Sequence, residues 1–219
     1  MVPAFYNGFP LVYSDTGTYI LSGMDLMVPR DRPVFYGLFV RATSLGFSLW
    51  PVIFVQALLV HYILFRLFVT LFDRGKRQIY FGLLFFLSVC TGLGWYTGQL
   101  MPDIFSAVAI LCIPLLLMRQ RGATAHFILT AIIFIVSLTV HGSNWLIVFL
   151  VLAVLGIFIW LKKLAFKKNF ALVVLMLFLT IPIAGLVNRS IGGSFEIGRG
   201  GHVYLIGKMH DSGVLEAYL

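Results

Sequence analysis

The sequence predicts an all-α fold: a polytopic membrane bundle of about six transmembrane helices behind an amphipathic, loop-rich N-terminal region. Three observations carry that prediction. Of the 219 residues 60% are hydrophobic and 11% charged, with a mean hydropathy of +1.00, too little polar surface for a soluble domain of this length. Six apolar runs of near bilayer-crossing length follow one another. The joins between those runs alternate between basic and free of Lys and Arg.

Residues 1–47 form the first unit, with prolines at 3, 10, 29 and 33 and glycines at 8, 17, 23 and 37. Pro and Gly at that density argue for turns and short helices, not a long span. Phe35 to Phe47 alternates aromatic and polar residues and reads as a segment lying in the membrane interface. The second unit, 48–187, holds the spans, at about 48–72, 79–97, 104–118, 124–140, 145–161 and 170–187. The third is short for a crossing unless its flanks contribute. A Gly-rich tail, 188–219, closes the chain, with an amphipathic helix starting at Val203.

The joins orient the bundle. Arg74, Lys76 and Arg77 follow the first span, Arg119 and Arg121 the third, and Lys162, Lys163, Lys167 and Lys168 the fifth. Gly98–Asp103 and His141–Asn144 carry no Lys or Arg. The positive-inside rule puts the basic joins in the cytoplasm, so residues 1–47, the two neutral joins and the tail fall outside. Asp73 is then the one cytoplasmic acid. Asp15, Asp25, Asp31, Asp103, Glu196, Asp211 and Glu216 are all outside, which assigns any chemistry to that face.

The net charge of +8 does not imply nucleic acid, because the cations are mostly packed between apolar spans and no nucleic-acid motif accompanies them. Cys90 and Cys112 lie within apolar runs and read as small buried hydrophobes. Met1–Pro10 has neither the basic start nor the apolar core of a signal peptide. An outer N-terminal unit needs a preceding span to carry it across, so the sequence predicts a helix before Met1 and a longer parent chain.

The candidate site centres on Tyr13-Ser14-Asp15-Thr16-Gly17-Thr18-Tyr19. A carboxylate in such a loop can act as a general base, bind a divalent cation or hold a sugar hydroxyl; equally, it can close an Asx-type turn capping a helix at Thr16–Leu21. Asp103 follows Pro102 at a helix start, where it can cap or serve as a second acid on the same face. His141 and Asn144 offer a proton carrier and an amide for a hydroxyl-rich ligand, or a plain polar turn before Trp145. Arg30, Arg32, Arg41, Arg189, Arg199, His202 and Lys208 suit a phosphate or lipid headgroups. Within the first span, Arg66 lies near enough to the basic end to snorkel, while His61 stays open as a functional group.

An acid-bearing outer loop followed by apolar helices with short outer turns resembles the integral-membrane glycosyltransferases of the GT-C superfamily. The residues that carry the likeness are Tyr13–Tyr19, then Arg32-Pro33-Val34-Phe35-Tyr36-Gly37-Leu38, Met101-Pro102-Asp103 and His141-Gly142-Ser143-Asn144. The resemblance implies that Asp15 is the functional acid, with Asp103 as a second. It also implies a polyprenyl-phosphate-linked sugar as donor, and a site on the non-cytoplasmic face of a bacterial inner membrane. Asp15 and Asp103 are the residues to hold a divalent cation if one is used, and Arg30, Arg32 or Arg199 would bind the carrier phosphate. Beside the enzyme reading stand a transporter or flippase component and a non-catalytic subunit with membrane partners. Proline-broken spans (Pro51, Pro114, Pro182) speak for the transporter, and the near absence of mid-span charge speaks against it.

Overall fold

The computed structural model describes residues 1–72, 77–118, 124–162, 167–196 and 201–214, with the side chains of all but Arg77 and 201–205. Most of the basic joins therefore lie outside the described residues, including Arg74, Lys76, Arg119, Arg121 and Lys163, as do Arg199 and Glu216. Among the described residues the chain is all-α. Its one extended pairing is an isolated parallel bridge between Leu11 and Gln99.

Three short helices come first: α1 (Val2–Asn7), α2 (Thr16–Met24) and α3 (Phe35–Ser44). Pro3 opens α1, and Gly8 ends it in the left-handed conformation that a residue without Cβ adopts freely. Then come α4 (Trp50–Leu71), α5 (Arg77–Cys90), α6 (Leu93–Gly98), α7 (Ile104–Leu117), α8 (Thr124–Thr139), α9 (Gly142–Leu161), α10 (Lys167–Ser190) and α11 (Gly201–Asp211). Helices α4, α9 and α10 are long and apolar enough to cross a membrane, with mean hydropathies of 2.2, 2.6 and 2.7, as in an integral membrane protein. Helices α5, α7 and α8 are apolar but shorter.

The expected span at 79–97 is two helices. Thr91-Gly92 interrupts it: the Thr91 hydroxyl bonds back to the Leu87 carbonyl and accepts from Leu93 N at 3.2 Å, ending one helix and starting the next. Of the three prolines, Pro51 sits harmlessly in the first turn of α4, while Pro114 and Pro182 lie inside α7 and α10.

Helix α7 is apolar nearly all round and mostly buried, with Ala107 and Ile110 exposed. It runs through the centre, packed by α4, α8, α9 and α10, with Phe105, Val108, Ala109, Cys112, Ile113 and Leu116 buried. Cys112 is buried as expected; Cys90, at the end of α5, is exposed. Within the expected interfacial segment Phe35–Phe47, helix α3 buries Tyr36, Gly37 and Val40 against α2 and α4, while Leu45 and Phe47 beyond it are exposed.

Candidate functional site

The site is built on two short helices, α2 and α3, that cross while running in the same direction. Helices α2 and α3 cross at Gly23 and Gly37, which have no side chains to hold the backbones apart. Arg41 of α3 closes the far end of α2, donating from Nη1 to the Gly23 carbonyl at 3.2 Å and to Met24 at 2.6 Å. Between the two helices Tyr19 meets Tyr36 edge-on, with ring centroids 5.0 Å apart. Asp15 opens α2 and Arg32 precedes α3, so the crossing brings these two groups to the same end.

There they pair. Arg32 Nη1 lies 2.9 Å from Asp15 Oδ2, the arginine side chain 11% exposed and the aspartate 41%. The contact is an ion pair and not an aligned hydrogen bond, since no acceptor stands in line with the buried Nη1. The other edge of the guanidinium is fixed by Asp31, whose Oδ2 accepts from Nε at 3.0 Å and also from Nη2. The guanidinium lies over the Tyr19 ring, 5.1 Å from its centroid. Hydrogen bonds from Arg32 to Asp31 strengthen its hold on the proton beyond that of an ordinary arginine; burial opposes this, and Asp15 adds to it.

Asp15 sits at the N-cap of α2, but its side chain does not cap the helix. Its Oδ1 accepts from Ser14 Oγ at 3.1 Å, and its Oδ2 faces Arg32. Thr16 does the local turn work: its hydroxyl accepts from Tyr13 N at 2.8 Å. Asp103 is the N-cap residue of α7, again with no side-chain capping bond. Simple capping therefore accounts for neither acid.

The two acid-bearing loops are stitched together. Leu11 N donates to the Gly98 carbonyl at 2.9 Å, Leu100 N to the Leu11 carbonyl at 2.8 Å, and the Thr16 hydroxyl to the Leu100 carbonyl at 3.1 Å. From below, the fully buried Gln56 of α4 donates to the carbonyls of Tyr96 and Gln99 at 2.9 and 3.0 Å and accepts from Tyr36 Oη at 3.2 Å. Burial pushes the Tyr19 phenol up to about 12; Arg32 pulls it back, and the charges of Asp15 and Asp103 both add to the rise. Both carboxylates thus act on one buried phenol.

The remaining candidates have other places. Arg30 is exposed on the loop before Asp31. His141 caps α9, its Nδ1 bonded to Ser143 N at 3.3 Å and to the Ser143 hydroxyl at 2.8 Å. Asn144 is fully buried: Oδ1 accepts from Ser106 of α7 at 2.5 Å, and Nδ2 donates to the Ser137 carbonyl of α8 at 2.7 Å. That network sets the start of α9 beside the start of α7. His61 of α4 binds Tyr80 of α5 through Nδ1 at 2.9 Å, and Arg66 is half-buried. Arg199 lies outside the described residues.

Among the described residues no three His, Cys, Asp or Glu side chains are grouped to hold a metal ion, and Arg32 supplies the positive charge beside Asp15. Sequence reasoning missed Tyr19, Tyr36 and Gln56 as the floor of the site. A glutamine in an apolar span was the available signal, since such a group must find partners within the protein. Comparison with protein families, curated proteins and solved structures returned no match.

Proposed function

We propose that the chain is a GT-C-like membrane glycosyltransferase. In this reading it moves a sugar from a polyprenyl-phosphate donor to an acceptor on the non-cytoplasmic side of a bacterial inner membrane. The 2.9 Å pairing of Asp15 with Arg32, in a loop tied to that of Asp103, is the observation that carries the reading. It sets a carboxylate that can take a proton beside a cation that can hold a phosphate.

The reaction needs both. Asp15 removes the proton from an acceptor hydroxyl, and the freed oxygen attacks the anomeric carbon. The bond from that carbon to the phosphate oxygen breaks, and polyprenyl phosphate leaves with its charge held by Arg32, with Arg30 or Arg199 assisting. Asp103 serves as the second acid and, with Asp15, as the ligand pair for a divalent cation where one is used. In this reading the spans are 48–72, 79–97 (the broken pair α5 and α6), 104–118, 124–140, 145–161 and 170–187. The shorter helices complete their crossings with flanking residues, and the basic joins sit in the cytoplasm.

Asp15→Asn tests the reading directly. Transfer from a polyprenyl-phosphate sugar should fall by roughly 10²–10⁴-fold, the usual contribution of a general base, with membrane insertion unchanged. Full transfer by that variant would remove the proposal. Solute uptake into proteoliposomes with no sugar transfer would replace it by the transporter reading.

A further inference from the structure

We infer that α1, with the groove it makes against the start of α4, is a lipid-binding foot: the bilayer itself covers Phe5, Tyr6, Trp50 and Phe54. Residues 1–14 carry no charged side chain. Helix α1 is pinned on one face only, where Ala4 is fully buried and a β-carbon at Gly98 would stand 3.2 Å from that of Ala4. Its other side presents Val2, Phe5 and Tyr6, the last 95% exposed. The helix also consumes its own polar group, as Asn7 Nδ2 donates to the Phe9 carbonyl at 3.2 Å.

The depth of this surface follows from its neighbour. Phe5 stacks on Trp50, with centroids 5.2 Å and planes 17° apart. Trp50 is the first residue of α4, which at 22 residues has the length to cross a membrane, and so belongs at the hydrocarbon rim, where Trp and Tyr concentrate. Met1, Phe5, Trp50, Pro51 and Phe54 line one open groove of about 390 Å³. It continues into the exposed Phe54 and Leu58 of α4, a face that a spanning helix turns to lipid. That continuity selects lipid over a second copy of the chain. An aromatic helix whose side chains carry no charge, its Met1 ammonium turned to the Thr97 hydroxyl at 3.3 Å, suits the apolar side of the interface.

A spin label at Tyr6 reads this out. The full chain carrying Tyr6→Cys and Cys90→Ser, with buried Cys112 left in place, is reconstituted in phosphatidylcholine–phosphatidylglycerol vesicles. Collision rates of the label with oxygen and with a water-soluble nickel chelate are then compared. The expected result is a mobile label with an oxygen-to-nickel ratio severalfold above that of free label in buffer. A ratio equal to that of free label would put α1 in water and overturn the inference. An immobilised label shielded from both reagents, or one broadened by a second label, would assign the surface to protein and overturn it as well.

Discussion

A β-carbon placed on Gly23 would stand 2.0 Å from the carbonyl oxygen of Gly37, and one on Gly37 would stand 2.2 Å from Ser22 Oγ. No side chain fits at this crossing, so the separation of α2 and α3 is set by two hydrogens. Gly23→Ala or Gly37→Ala should therefore cost about 1–3 kcal/mol through overpacking and move Asp15 away from Arg32. Thermal unfolding in detergent measures the first effect. Gly17→Ala is the control: nothing lies within 4 Å of its β-carbon, and it should stabilise α2 by up to about 1 kcal/mol.

Removing Asp15 and removing Arg32 should not be equivalent. Asp15 is 41% exposed, so Asp15→Asn should cost about 1 kcal/mol at most. Arg32→Gln withdraws the guanidinium that pairs with both Asp15 and Asp31 and uncovers the Tyr19 ring, for a loss of about 1–3 kcal/mol. The two single variants and their double variant, unfolded under one set of conditions, separate the pair term from the rest.

Thr16→Val keeps the shape of the side chain and deletes its hydroxyl. The Tyr13 amide and the Leu100 carbonyl each lose a partner, at about 1–3 kcal/mol for buried groups left unpaired. Amide exchange should rise together in 11–16 and 99–103 if the two loops are one unit. A rise confined to 11–16 would separate them.

Gln56→Leu should be the most damaging change in α4. It strips the carbonyls of Tyr96 and Gln99 and the hydroxyl of Tyr36 at a buried point, for about 2–4 kcal/mol on summing such losses. Loss of expression in the membrane fraction or a lowered unfolding temperature would register it.

Alkaline titration tests Tyr19. Its phenol is held protonated up to about 12 against a usual value of 10.0, first by burial. The folded state therefore keeps a proton that the unfolded chain releases. This contribution to stability is complete below pH 10 and is lost as pH rises towards 12. Tyr19→Phe should flatten the fall in stability across that window, and its absorbance titration should lose one phenol from the component near 12.

The apolar helices were legible because hydropathy and length speak for each alone, and α4, α9 and α10 match the expected spans within a few residues. The break at Thr91-Gly92 was not, since a local bond back to the Leu87 carbonyl decides it inside an otherwise apolar run. Asp15 stood out as an acid in a polar turn, but its partner did not. Arg32 was one of several loop cations, and only the Gly23–Gly37 crossing selects it. Nor could a one-dimensional pattern show that Leu11 pairs with Gln99, a bridge with no strand-like periodicity on either side.

That bridge also fixes an order of events in synthesis. Thr16 and Leu100 are 84 residues apart, and their bond forms only after α4, α5 and α6 have emerged and packed. Until then Asp15 belongs to the α2–α3 pair alone, with neither Asp103 nor Gln56's partners Tyr96 and Gln99 beside it. The ribosome must first carry the chain well past Asp103, so a chain stalled midway holds every residue of α2 and α3 and none of the loop that ties Asp15 to Asp103.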